Sequence, residues 1–321
     1  MKAKIKIAAL FLLGFTAANA QKYDIKTAKT YAEISAKTDG KWEGRKYIGG
    51  TVFKNTDKLK LSPEHTDHSF DIRYEGPGWE SNRIGYRLYL DWRNAIDIFG
   101  KKTSENILPK VGQDNFDSYH EMSDWGADIL KAGKGIGIGS IDRYLNKEKL
   151  HFREVDSTIA YVSNKTNESV VKIDYYGWKT AADKINFTSE LTIKPDQLYT
   201  QHTIKASKAI QGICTGIVKQ KNTELLKKES KNKKWAYLAT YGQQSLVPDK
   251  LGMAIFYQVT TIASIEDTDL DYLLVFKPTT KATSFYLLGA WEQEVNGIKT
   301  QEEFVKYLNE KLEILNKKGK M

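Results

Sequence analysis

Residues 185–207 read INFTSELTIKPDQLYTQHTIKAS, and two strand-like runs meet there at Pro195-Asp196. Proline and aspartate are common turn residues, so the stretch predicts a β-hairpin with strands at 185–195 and 198–207. Further strand-like runs are separated by turn residues and lie at 69–74, 158–163, 169–178, 213–219, 235–242, 251–259, 271–278 and 282–291. This spacing predicts an all-β chain folded as a large antiparallel β-sandwich.

The C-terminal stretch TQEEFVKYLNEKLEILNKKGK (300–320) shows the one clear helical pattern. Thr300 is suited to cap the helix N-terminus, and Glu302 and Glu303 lie in the first turn, where negative charge is favoured. One apolar stripe at helical spacing comprises Phe304, Leu308, Leu312 and Leu315. We therefore expect a C-terminal helix that packs against the sandwich.

The chain begins MKAKIKIAALFLLGFTAANA (1–20), which has the pattern of a cleaved export signal. Three lysines precede a short apolar run at 7–15, and Ala18-Asn19-Ala20 has the small residues typical of a cleavage site. We expect cleavage after Ala20 and a mature protein that is periplasmic or secreted. Residues 21–321 contain no long linker and predict a single domain without a membrane span.

The charge balance is basic. The formal net charge is +9, and removal of residues 1–20, which contain three lysines and no acid, leaves 9 − 3 = +6. For an exported protein, this excess favours an anionic glycan over nucleic acid as the partner. Cys214 is the only cysteine, so no intramolecular disulfide can form.

The stretch YEGPGWESNRIGYRLYLDWRNAIDIFGK (74–101) contains an unusual strand pattern. Side chains alternate along a strand, so the even positions from Ile84 to Leu90 predict a core face. The odd face carries Arg83 and Arg87, which is uncommon for a plain solvent surface. The segment that follows, 91–134, is long, irregular and rich in aspartate, glycine and aromatic residues, and such segments are often functional.

Two groups of histidines are candidates for chemistry. His120 lies among acids and aromatic residues in YHEMSDWGAD (119–128), which favours a catalytic or binding role over a purely structural one. His65 and His68 have a spacing that metal sites use, but no third ligand is evident nearby in the sequence, so no metal site is predicted. The glycine-rich GKGIGIG (133–139) lacks the register and setting of a dinucleotide loop.

Five blocks of the sequence resemble secreted bacterial proteins of the domain-of-unknown-function family 4861. These blocks are KWEGRKYIGG (41–50), HTDHSFDIRYEGPGWESNRIGYRLYLDWRNAIDIFGKK (65–102), QDNFDSYHEMSDWGADILKAGKGIGIGS (113–140), ICTGIVK (213–219) and WAYLATYGQQSL…LGMAIFY (235–257). The resemblance implies a role in polysaccharide utilisation and a dehydratase activity on uronic-acid oligosaccharides such as those from ulvan. The predicted hairpin is similar to that of sugar mutarotase-type supersandwich proteins.

Elimination of water across C4–C5 of a terminal uronate needs a neutralised carboxylate, a base and a proton donor. We predict that Arg83 and Arg87 bind the carboxylate together, as paired guanidinium groups often do. His120 is the predicted base, because histidine titrates near neutral pH. Tyr89 or Tyr119 is the predicted proton donor, with a pKa lowered by the adjacent arginines.

The remaining predicted contacts are with the sugar ring or with these groups. Asp128 is predicted to orient His120, Trp79 and Trp125 to stack on the ring, and Lys101 to bind a sulfate. No cofactor is predicted, and a calcium ion among Asp117, Asp124 and Asp128 stays open. Two alternative functions stay open as well: a polysaccharide lyase, which expels a sugar rather than water, and a non-catalytic glycan-binding protein.

Overall fold

A computed structural model describes residues 23–113, 118–221, 223–247 and 249–321. Over these ranges the chain forms 23 β-strands, one α-helix and four short 3-10 helices at Arg73–Glu75, Leu108–Lys110, Ser118–His120 and Val259–Thr261. The predicted export signal, residues 1–20, lies outside the described residues. In the described part of the chain, no helix is both long enough and apolar enough to cross a membrane.

The strands are, in chain order, β1 (Thr30–Glu33), β2 (Ser35–Lys37), β3 (Gly40–Glu43), β4 (Lys46–Gly49), β5 (Phe53–Asn55), β6 (Lys58–Lys60), β7 (Gly78–Ser81), β8 (Ile84–Leu88), β9 (Ile96–Lys101), β10 (Gly126–Asp128), β11 (Asp142–Leu145), β12 (Glu148–Leu150), β13 (Ser157–Lys165), β14 (Glu168–Thr180), β15 (Asp183–Ile193), β16 (Tyr199–Ala206), β17 (Ile213–Val218), β18 (Leu226–Glu229), β19 (Trp235–Gly242), β20 (Leu251–Gln258), β21 (Ile262–Asp267), β22 (Asp271–Phe276) and β23 (Thr283–Trp291).

The largest sheet has nine antiparallel strands in the order β18-β19-β20-β23-β16-β15-β14-β13-β6. The predicted hairpin lies at its centre: β15 and β16 pair with Ile193 opposite Thr200. Asp196 in the turn has a φ of 64°, a left-handed conformation that aspartate adopts more readily than most residues.

Two five-stranded antiparallel sheets, β1-β7-β8-β9-β10 and β12-β11-β17-β22-β21, pack against the large sheet. From the first, the Trp79 indole N–H donates to the Thr200 hydroxyl (2.8 Å) on β16. From the second, the ring of Phe276 lies 5.6 Å from that of Phe285 on β23. The predicted large antiparallel β-sandwich is confirmed.

The predicted C-terminal helix, α1 (Gln301–Lys318), is also confirmed. The Thr300 side chain accepts a hydrogen bond from the Glu303 backbone, and the Glu303 side chain accepts one from the Thr300 backbone, which forms a capping box. The predicted apolar stripe is buried. Its first residue, Phe304, lies against Tyr241 of β19, with ring centroids 5.4 Å apart.

The strand predicted at 69–74 is wrong. Phe70 and Tyr74 have φ values of 64° and 42°, which an extended strand does not allow. This segment instead runs irregularly into the 3-10 helix Arg73–Glu75, where Tyr74 departs from helical geometry. The consequence is a compact loop that places several polar side chains beside the first five-stranded sheet.

Gly252 on β20 allows Phe304 to pack closely, and this contact is testable by a double-mutant cycle. A Cβ at Gly252 would lie 2.5 Å from Cε2 of Phe304, so Gly252→Ala should destabilise the fold by roughly 1–3 kcal/mol through overpacking. Phe304→Ala should cost roughly 3–5 kcal/mol. In the double variant the cost of Gly252→Ala should largely disappear, because the ring it meets is gone. Urea unfolding measures all three, and strictly additive costs would contradict the packing described.

Candidate functional site

Arg87 lies in β8, the central strand of the first five-stranded sheet. The even face of β8 packs on the large sheet, as predicted: the Tyr86 hydroxyl donates to the Leu198 carbonyl (2.6 Å). The odd face is covered too. Arg87 is only 2% exposed, and the rings of Phe99 and Tyr119 lie 5.8 and 4.9 Å from its guanidinium carbon. Arg87 is therefore an interior residue and does not line a ligand surface.

The guanidinium of Arg87 is bound by side chains of the protein itself. Its Nη2 donates to Asp128 Oδ2 (2.6 Å), Asp97 Oδ2 (3.3 Å) and the Tyr89 hydroxyl (2.9 Å). Its Nη1 donates to the Tyr119 hydroxyl (2.9 Å). A buried guanidinium needs such partners, because an unpaired interior charge is strongly unfavourable. Both terminal nitrogens of Arg87 therefore already donate to protein groups, and the side chain has no free pair of Nη donors for a sugar carboxylate.

Burial, rather than the neighbouring arginine, controls the titration of the groups around Arg87. Burial and the charge of Asp128 raise the pKa of Asp97 to about 7, against the opposing effect of Arg87. Burial likewise raises the pKa of Tyr89 and of Tyr119 above the ordinary tyrosine value, although Arg87 acts to lower both. The prediction that arginines would lower the pKa of these tyrosines is wrong, and the Tyr89 hydroxyl donates to Asp97 inside the sheet.

His120 ends the 3-10 helix Ser118–His120 and lies at the surface end of this group. Its Nε2 is 3.3 Å from Asp128 Oδ2, and its side chain is 38% exposed. Its ring also contacts that of Tyr119, with centroids 4.5 Å apart. The predicted contact between Asp128 and His120 is present, whereas the catalytic role of His120 stays a prediction.

Arg83 does not join Arg87. It lies in the turn between β7 and β8, so the alternation of β8 does not set its direction. Its Nη2 donates to Glu294 Oε1 at 2.9 Å. Glu294 is buried, and burial raises its pKa to about 8, although Arg83 opposes the shift. The predicted clamp of two arginines on one strand face is thus not formed, because each guanidinium is bound to a different internal carboxylate.

Two residues predicted to bind sugar are fully buried. Trp79 is in the core with its N–H bonded to Thr200, and Lys101 donates to Glu80 (2.6 Å) and to the Ser81 carbonyl (2.6 Å). Neither side chain is available to a ligand, which corrects both predictions. Trp125 is partly buried and lies edge-on to Phe99, with ring centroids 6.1 Å apart.

A second arginine extends the polar group into the irregular loop before β7. Arg93 Nη2 donates to Asp67 (2.8 Å), Glu75 (3.1 Å) and Asp91. The φ values of His68 and Glu75 are 59° and 69°, and such strained backbone is concentrated at functional sites. We call the residues around the two arginines the arginine–carboxylate network; its carboxylates are Asp67, Glu75, Asp91, Asp97 and Asp128.

Possible metal ligands are present at two places. Asp67, His68 and Glu75 bring one ligand atom each within 4.8 Å of one another, but Arg93 already binds both carboxylates. Of the residues considered for calcium, Asp117 lies outside the described residues, and Asp128 is bound by Arg87. We assign neither place to a metal.

A cavity of about 600 Å³ is lined in part by Asp91, which also belongs to the arginine–carboxylate network. Three cations line it from distant parts of the sequence: Arg45 from the β3–β4 turn, Lys60 from the end of β6 and Arg153 from the β12–β13 connection. The Arg153 guanidinium carbon lies 4.3 Å from the ring of Trp92, which also lines the cavity.

The three cations of this cavity form no close ion pair in the described part of the chain. Arg45 interacts electrostatically with the partly exposed Glu64, whose pKa is lowered mainly by hydrogen bonds from Ser62 and the backbone and further by Arg45. Within residues 23–113, 118–221, 223–247 and 249–321, no carboxylate lies within 4.0 Å of the charged nitrogens of Arg45, Lys60 or Arg153. The two acids that do line the cavity have other partners, Arg93 for Asp91 and Lys184 for Asp156. The cavity is therefore suited to an anionic ligand, in contrast to the arginine–carboxylate network.

The raised pKa of Asp97 predicts a dependence of stability on pH. The folded protein keeps a proton on Asp97 up to about pH 7, whereas the unfolded chain releases it near pH 4. The folded state thus binds more protons in this window, so the free energy of unfolding falls as pH rises through it. Asp97→Asn should flatten this decline.

Urea unfolding of the wild type and of Asp97→Asn between pH 3 and 8 checks this. Asp71→Asn is the control of opposite sign: although burial opposes it, hydrogen bonds from His65 and Ser69 hold the pKa of Asp71 below its ordinary value. Asp71→Asn should lower the free energy of unfolding by a constant amount above about pH 4 and should change its slope with pH only below that pH. An unchanged slope in Asp97→Asn between pH 4 and 7 would contradict the assignment.

Comparison with solved structures gives low similarity. The chain matches a TPR-domain-containing protein from Parabacteroides distasonis (TM-score 0.36, 7% identity, 82% of this chain and 56% of that chain). It also matches a 4-alpha-glucanotransferase from Thermococcus litoralis (0.33, 12%, 70% and 40%). A third match is a protein assigned as an aldose 1-epimerase from Klebsiella pneumoniae (0.36, 7%, 76% and 84%). All three TM-scores lie below 0.5, so no conclusion rests on them.

No curated protein matches the sequence. A family model described as "Domain of unknown function (DUF4861)" matches residues 5–321. This match spans the five sequence blocks in which the resemblance was found, together with both the arginine–carboxylate network and the cavity. The chain belongs to the DUF4861 family.

Proposed function

We propose that this protein acts on uronic-acid-containing oligosaccharides and eliminates water from the non-reducing-end uronate to give a 4,5-unsaturated residue. The substrate class and the reaction come from what the family resemblance implies. The observation that carries the proposal is the cavity beside Trp92, whose three cations have no carboxylate of the described residues within 4.0 Å. Its volume of about 600 Å³ is within the range of ligand sites, roughly 300–1,000 Å³.

The reaction needs positive charge beside the substrate carboxylate. The proton at C5 of a uronate lies next to this carboxylate and becomes acidic only when the carboxylate's charge is neutralised. Arg45 and Arg153 are suited to this task, since guanidinium groups bind carboxylates through two parallel hydrogen bonds. Lys60 adds a third positive charge at the cavity wall. Arg83 and Arg87 are excluded from the task by their bonds to Glu294, Asp97 and Asp128.

Non-catalytic binding of acidic glycans is a second candidate function. It is favoured by the position of the two tyrosines that the sequence predicted as proton donors: Tyr89 donates to Asp97, and Tyr119 is buried against Arg87. A binding protein needs the charged cavity but no proton donor.

Incubation with a uronate-ended oligosaccharide separates these functions. We expect one product, lighter than the substrate by one water, together with new ultraviolet absorbance from the C4–C5 double bond. Mass spectrometry and absorbance measure both. Two shorter fragments would instead identify a polysaccharide lyase, and binding without any product would identify a glycan-binding protein.

Variants of the cavity cations test where the reaction takes place. Arg45→Gln and Arg153→Gln should each lower kcat/KM by roughly tenfold or more, because each removes a charge-assisted hydrogen bond to the substrate. Lys227→Gln, which removes an exposed positive charge on β18, is the matched control and should leave kcat/KM unchanged. Equal effects of all three substitutions would mean that only the net charge of the protein matters.

A further inference from the structure

His65 is a buried residue at the wall of the cavity, in the loop that follows β6. Its side chain is only 2% exposed. Two backbone contacts fix its position: its N–H donates to the Ser62 carbonyl (3.1 Å), and its carbonyl accepts from Arg45 Nη2 (2.8 Å). The second contact places one of the cavity's cations directly beside the residue that carries this imidazole.

Asp71 sets the orientation and the tautomer of the neutral His65 ring. His65 Nδ1 lies 2.8 Å from Asp71 Oδ1 and 3.1 Å from Oδ2. The Ser69 hydroxyl donates to the same carboxylate (2.6 Å). Since a carboxylate only accepts hydrogen bonds, Nδ1 carries the hydrogen, and Nε2 is the nitrogen with the free lone pair in the neutral ring.

Nε2 of His65 has no hydrogen-bond partner among the side chains and backbone groups of the described ranges, although it is buried. A buried polar atom without a partner is unfavourable and calls for an explanation, such as a ligand that the site is built to receive. His65 lines the cavity, whereas Asp71, which holds Nδ1, is not among the residues that line it. Of the two ring nitrogens, Nε2 is thus the one that has no protein partner.

His120 differs from His65 in this respect. The Nε2 of His120 lies 3.3 Å from Asp128, and that carboxylate is in turn held by Arg87, whose charge is neutralised inside the network. His65 instead belongs to the wall of a cavity whose three cations have no carboxylate within 4.0 Å in the described ranges. An elimination that needs a base next to positive charge is better served by the second arrangement.

We propose that His65 is the acid–base residue of this cavity, that Asp71 is its positioning residue, and that the cavity takes the terminal uronate unit of the substrate. This inference rests on the proposed function. Nε2 takes the proton from C5, and the electron pair of the C5–H bond forms the C4–C5 double bond as the C4–O bond breaks. The leaving hydroxyl takes the proton from Nε2–H and departs as water, which returns His65 to its neutral form.

The same imidazole serves as base and then as acid, so no tyrosine is needed as proton donor. This requires the C5 hydrogen and the C4 hydroxyl to face the ring from one side of the sugar. Arg45 and Arg153 neutralise the bound carboxylate and stabilise the negative charge that develops on it as the C5 proton leaves. Tyr89 and Tyr119 are not among the residues that line the cavity, and this mechanism does not require them there.

Substitution of His65 tests this directly in the full chain. With a uronate-ended oligosaccharide, His65→Gln should lower kcat by about 100- to 10,000-fold, the usual contribution of a general acid–base residue, with KM changed only a few-fold. Asp71→Asn should lower kcat with little change in KM, because the ring then loses its fixed tautomer. Tyr176→Phe, at an exposed site on β14, is the control variant for folding and activity.

A second readout does not depend on catalysis. In the wild-type protein, the ring resonances of His65 should shift on addition of glucuronic acid and stay unchanged on addition of glucose or inorganic sulfate. This measurement tests the proposal on the wild-type protein even if His65→Gln fails to fold, and unchanged His65 resonances with glucuronic acid would contradict it.

The outcomes separate the two proposals. If the wild type forms no unsaturated product from any uronate-ended oligosaccharide, the proposed function fails. If the wild type is active and His65→Gln retains its turnover, the inference alone is overturned. Loss of turnover in His120→Gln with His65→Gln active would overturn it in favour of the base predicted from the sequence.

Discussion

The guanidinium of Arg87, buried between the first five-stranded sheet and the segment that covers it, determines much of the structure around it. An interior positive charge must be paired, and the sheet supplies Asp97 from the next strand and Asp128 from the strand after that. The network as a whole contains two arginines and five carboxylates. Burial raises the pKa of Asp97 and of Glu75, which limits the excess negative charge in the interior.

This constraint explains why a plausible ligand-binding pattern in the sequence turned out to be structural. Period-two alternation correctly separated Tyr86 from Arg87, because strand geometry fixes which side chains share a face. It carries no information on whether another segment covers the polar face, and here Tyr119 of the 3-10 helix Ser118–His120 does. Arg83 was assigned to the same face only because the strand was taken to begin one residue too early.

The other parts of the fold were predictable to the extent that their signals were local. The long strands from 157 to 291 and the capped helix at 301–318 follow from hydrophobic pattern, turn residues and capping residues within one element. The segment 69–74 was taken for a strand because its left-handed residues, such as Phe70, are not recognisable from residue type. The cavity was missed because Arg45, Lys60, His65 and Arg153 meet only through the tertiary fold.

Two histidine–carboxylate pairs therefore have different roles in this account. The pair of His120 and Asp128 ends a network in which Arg87 and Arg93 are bound by carboxylates, whereas the pair of His65 and Asp71 lies at the wall of a cavity whose three cations have no carboxylate within 4.0 Å in the described ranges. The distinction depends on Arg87 as a structural cation. The most direct test is a crystal structure with a uronate-ended oligosaccharide bound. We predict the terminal carboxylate against Arg45 and Arg153, with Arg87 still bonded to Asp128; a sugar carboxylate bound to Arg87 beside His120 would contradict the account.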